Sequence, residues 1–77
     1  MLNKIEALEF YKQARHNNYI WSTQDFGYEH DREVAFVNWC DFIISKIEKI
    51  PFDEFNFSNF REQYGTFDYP YPTEEYE

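Results

Sequence analysis

Phe36, Cys40, Ile43, Ile47 and Ile50 recur at spacings of 4, 3, 4 and 3 residues. That rhythm places five apolar side chains on one side of an α-helix. Val37 and Ile44 widen the stripe. A helix with one wide apolar side must bury it, and the a/d spacing suits burial against other helices. Asp31 is a fitting N-cap, and Glu33 in the first turn would favour the helix dipole. Lys46 and Lys49 stand where positive charge is favourable, and Pro51 stops the run. The pattern predicts a helix over 31–50, with Cys40 buried and its thiol inert.

An earlier helix is predicted over 3–16. Asn3 and Glu6 are spaced as a capping box. Ile5, Leu8 and Tyr11, with Ala7, Phe10 and Ala14 beside them, form a broad apolar face. His16, Asn17 and Asn18 read as its stop, because Asn tolerates the left-handed conformation that ends helices. Residues 19–26 have strand propensity but no alternation and no partner strand, so an ordered loop anchored by Trp21 and Phe26 is expected. Gly27 marks a bend. A short third helix is predicted over 58–64, capped by Ser58 and ended by Gly65, with Phe57, Phe60 and Tyr64 on one face.

The fold class expected is therefore all-α: one domain, 1–77, with a helical body over 1–65. Residues 66–77 carry Pro70 and Pro72, which favour an extended path. This tail is expected to dock its rings on the helices or on a partner.

Seventy-seven residues make a marginal core. A single cysteine excludes an intrachain disulfide. Eighteen of the residues are Phe, Tyr or Trp, enough buried ring area to replace such a staple. They are also numerous enough to leave some for a second chain. On the helical wheel Phe42 points away from the Cys40 stripe, among Asn38, Lys46 and Lys49. Either the C-terminal segment folds over it, or it is a contact for a partner. No apolar run reaches the roughly 18 residues of a membrane span, and the first residues lack the core of a signal peptide. The chain reads as cytoplasmic.

The net charge is −8, and it is unevenly spread. Residues 52–77 hold seven carboxylates against one base, Arg61, and interleave them with nine aromatic rings. Phosphates would be repelled, so direct binding of nucleic acid is not expected. A basic protein surface, above all one that itself holds nucleic acid, would be attracted. Carboxylates along an extended chain can follow the charge trace of a nucleic-acid strand, and rings can enter pockets that stack bases. The expected partner-binding residues are Asp53, Glu54, Glu62, Asp68, Tyr69, Tyr71, Glu74, Glu75, Glu77 and Phe42. The bland reading is that these acids only keep an aromatic segment soluble.

Catalytic signals are absent from the sequence. There is no Gly-rich phosphate loop, and no nucleophile stands beside a base. His30 is flanked by Glu29, Asp31 and Glu33, but nothing else completes a metal site, and a solvated helix start is the plainer reading. No enzyme activity, cofactor or metal is expected. In size and charge the chain looks like phage-type anti-defence or host-takeover proteins, which include nucleic-acid mimics. That likeness implies an inhibitor occupying the basic surface of a host protein. The other reading is an adaptor or homodimerisation domain using its aromatic surface. A small enzyme subunit or cofactor carrier ranks behind both.

Overall fold

A computed structural model describes residues 1–64 and Phe67. Among these residues three α-helices follow one another: α1, Lys4–Ser22; α2, Gly27–Glu48; and α3, Phe57–Tyr64. A single 3-10 turn, Phe52–Glu54, lies between α2 and α3. There is no strand among the described residues. The fold is all-α, as the periodicity predicts.

The capping box forms. Asn3 Oδ1 accepts from the Glu6 backbone N–H at 2.8 Å, and Glu6 Oε1 accepts from the Asn3 N–H at 3.0 Å. Two donors that the first turn leaves open are thereby satisfied. From there α1 runs six residues past the expected stop at position 16, through Ser22. The asparagines bond along the helix instead of ending it. Gln13 Nε2 donates to Asn17 Oδ1 at 3.1 Å, and Asn18 Nδ2 donates to the Ala14 carbonyl at 2.8 Å. Packing against α2 outweighs their weak helix propensity. The predicted ordered loop over 19–26 is therefore corrected: only residues 23–26 connect the two helices. Trp21 and Phe26 are not anchors either, being 50% and 88% exposed. Phe26 lies in a four-residue connection too short to fold its own side chains inward, and Trp21 stands on the outer side of the end of α1.

α2 begins four residues before Asp31, so Asp31 is not its cap. Gly27 opens the helix with φ +62, the left-handed region that glycine reaches freely. A Cβ there would touch nothing within 4 Å, so the constraint is in the backbone alone. The N-cap position is filled by Phe26, which offers no side-chain cap. A Ser, Asp or Asn there would stabilise the helix by about 1 kcal/mol. The other end also differs: α2 stops at Glu48, two residues before the predicted limit at 50. α3 starts at Phe57, and its first turn is bonded by Asn56, not Ser58: Asn59 N–H donates to Asn56 Oδ1 at 3.0 Å. The Gly65 stop and the tail over 66–77, apart from Phe67, lie outside the described residues.

α1 and α2 form an antiparallel hairpin, and α3 covers its seam. Ala7 and Tyr11 from α1, Cys40, Ile43 and Ile47 from α2, and Phe60 from α3 make one buried cluster. The α2 stripe is thus buried at Val37, Cys40, Ile43 and Ile47 and half-buried at Phe36 and Ile44. On α1 the inner face is narrower than expected, because Ile5 and Phe10 are more than half exposed. Each fully buried isoleucine contributes about 1.5–3 kcal/mol. Rings thicken this small core. Phe60 packs on Tyr64 at 4.6 Å and on Phe55 at 5.8 Å between centroids. Phe67 meets Phe36 edge-on at 5.0 Å and Trp39 at 5.7 Å. At the open end of the hairpin Lys4 Nζ donates to the Glu48 carbonyl at 3.2 Å, closing α2 with a side chain from α1.

Candidate functional site

Of the residues expected to bind a partner, Asp53, Glu54, Glu62 and Phe42 are described. Asp53 and Glu54 adjoin on the 3-10 turn, at the open end of the hairpin, and both are exposed. That turn forms because Pro51 breaks α2 and its carbonyl then accepts from the Glu54 N–H at 3.0 Å. Glu62 is exposed on α3. Asp68, Tyr69, Tyr71, Glu74, Glu75 and Glu77 lie outside the described residues.

These carboxylates keep their charge to themselves. Among the described residues the one ion pair is Arg15 with Asp41, which bridges α1 and α2 on the surface. Exposed pairs of this kind contribute about 0–1 kcal/mol. Arg61, the only base after residue 51, stands over the Phe57 ring at 5.7 Å from its centroid. Asp53, Glu54 and Glu62 therefore have no cationic partner among the described residues.

Phe42 is 46% exposed. Tyr64 meets it edge-on at 5.9 Å, and Lys46 Nζ sits over its ring at 5.3 Å from the centroid. The end of α3 thus folds partly over Phe42, leaving about half of it to solvent. Beside this, Tyr11, Phe36, Trp39 and Phe67 line an apolar cavity of about 200 Å³, with Arg61 at its wall.

The opposite end of the hairpin holds features that the periodicity did not reveal. His30 Nδ1 donates to the Ser22 carbonyl at 2.7 Å, so α2 caps the end of α1. Glu33, expected on a solvated first turn, is only 8% exposed, and its Oε1 has no hydrogen-bond partner. Burial is the first cause that raises its carboxyl above the ordinary range. The nearby carboxylate of Asp25 and the negative charge of Glu29 raise it further, while His30 opposes them. One signal was available: the stretch between Arg15 and Arg32 holds three acids and no Lys or Arg. Among the described residues no three of His, Cys, Asp and Glu are gathered so as to hold a metal ion.

A carboxyl raised in the folded state binds its proton more tightly there than in the unfolded chain. Its stabilising contribution is complete below the unfolded value of about 4.3 and is lost as pH rises through the folded value. Glu33→Gln removes the charge and keeps the shape. The variant is expected to melt above the parent at neutral pH, and the gap should close towards about pH 4. Melting curves of both proteins across that range test this; an equal gap at every pH refutes it.

No helix among the described residues is long and apolar enough to cross a membrane. Comparison with known proteins finds no matching family model, no matching curated protein and no matching solved structure.

Proposed function

We propose that this chain is a non-enzymatic binding protein whose acidic, aromatic C-terminal segment occupies the basic, nucleic-acid-binding surface of another protein. The observation that carries this reading is the balance over residues 52–77, seven carboxylates and nine rings against Arg61 alone. Support comes from Asp53, Glu54 and Glu62, which are exposed and unpaired. Carboxylates left free in this way are available to the Lys and Arg that normally hold phosphates, and they also steer the encounter. The partner then loses its nucleic acid by competition. Size and charge look like those of phage-type anti-defence or host-takeover inhibitors, which makes a host protein in the cytoplasm the natural target.

The test is capture from bacterial lysate at low salt, followed by release with double-stranded DNA. Proteins that bind the chain through a nucleic-acid surface should be displaced by DNA and by high salt. Reversing Asp53, Glu54, Glu62 and Asp68 to Lys brings the net charge from −8 to zero. Binding should weaken about 100-fold or more, while the helical circular dichroism stays. Undiminished capture by that variant removes the mimic reading.

A second reading, an adaptor or homodimerisation domain, draws on the half-exposed Phe42 and Phe10. An apolar contact of that kind would be insensitive to salt and would appear as a concentration-dependent dimer in sedimentation.

A further inference from the structure

The closed end of the hairpin departs from what stability alone would select. Phe26 holds the N-cap position of α2 without bonding to it, and its ring is 88% exposed. Trp21, at the end of α1, is 50% exposed, and Ile20 is 39% exposed. Local rules broken with no gain in packing are characteristic of positions kept for function. Trp and other large rings dominate the energetics of protein contacts when they enter a desolvated pocket.

In sequence the charges nearest these rings are of one sign, between the flanking Arg15 and Arg32. Asp25, Glu29 and Asp31 surround them in sequence, with no Lys or Arg from residue 16 to residue 31. Glu29 and Asp31 are exposed. We propose that this corner is a second docking surface, which places Phe26 and Trp21 in an apolar site of a partner protein flanked by Lys or Arg. Two other occupants conflict with the charges. A second copy joined corner to corner would set Asp25, Glu29 and Asp31 against themselves. A membrane surface attracts rings bordered by Lys and Arg, and its anionic leaflet repels acids.

This surface lies at the other end of the hairpin from Asp53 and Glu54, so it stands or falls independently of the C-terminal segment. Phe26→Ser separates function from folding, because the two move in opposite directions. Serine supplies the missing cap, so the variant should melt about 4–8 °C above the parent. The same change removes the anchor. The probe is a phage-displayed library of randomised peptides panned against the full chain. Expected binders carry Lys or Arg beside Leu, Ile or Phe, and lose at least about tenfold in affinity for Phe26→Ser and for Trp21→Ser. They should still bind the chain with Asp53, Glu54, Glu62 and Asp68 reversed, which separates this surface from the C-terminal one. Changing Asp25, Glu29 and Asp31 to Lys should turn the selection towards acidic peptides.

Four results would overturn the proposal: binders without an excess of cations, binders that retain their affinity for Phe26→Ser, a sedimenting dimer that Phe26→Ser dissolves, or binding of the parent chain to phosphatidylcholine vesicles. A fall in melting temperature for Phe26→Ser would equally count against it, by placing that ring within the fold.

Discussion

Cys40→Asp is expected to leave the chain largely unfolded at neutral pH. Cys40 has no exposed surface and sits in the cluster of Ala7, Tyr11, Ile43, Ile47 and Phe60. The core already resists charge there, since burial, first among the causes, pushes the thiol up to about 11. A carboxylate in the same place costs several kcal/mol, and the domain as a whole has about 5–15 kcal/mol to lose. Cys40→Ala is the control, and should lower stability by only about 1 kcal/mol, within the ordinary range for a single substitution. Acid should partly restore the Asp variant, because the neutral carboxyl is easier to bury. Circular dichroism over pH reads both effects. A folded Asp variant at neutral pH, or fast labelling of Cys40 by a thiol reagent in the native parent, would contradict the assigned core.

Phe60→Ala is expected to release α3. This helix has eight residues, too few to stay helical alone. Phe60 is its one buried side chain, only 4% exposed, and joins α3 to both helices of the hairpin. Truncating such a ring costs about 3–5 kcal/mol, or a fall in melting temperature of at least about 12 °C. Hydrogen exchange should accelerate first in residues 57–64, before the amides around Ile43. If the α3 amides stay as protected as in the parent, the account of how that helix is held is wrong.

The parts of this fold that were legible in sequence are those where one face does one job. The α2 stripe from Phe36 to Ile47 repeats without interruption and is buried or half-buried as read. The Asn3–Glu6 box has a fixed spacing and forms. The corner was misread because its local signals point the wrong way. Asn17 and Asn18 look like a stop, yet their amides are satisfied inside α1. Asp31 looks like a cap, yet the helix starts at a glycine behind a phenylalanine that caps nothing. Glu33 was placed by its sequence position in solvent, yet it is only 8% exposed. Of the candidate site, Asp53, Glu54 and Glu62 could be read from charge alone, since exposed acids need no partner to be predicted. Phe42 was legible on the helical wheel, and only how far it is covered needed the tertiary structure: Tyr64 reaches it and leaves it 46% exposed.

The covering role of α3 has a consequence for the order in which the molecule assembles. α1 and α2 are joined by four residues and can pair as soon as both have left the ribosome, a local event of the fast-folding kind. At that moment Cys40, Ile43 and Ile47 still lack Phe60. The newborn hairpin therefore carries a sticky seam until α3 emerges and closes it. Any delay in the docking of α3 would hold the chain in that state, where it is most prone to self-aggregate and most in need of a chaperone.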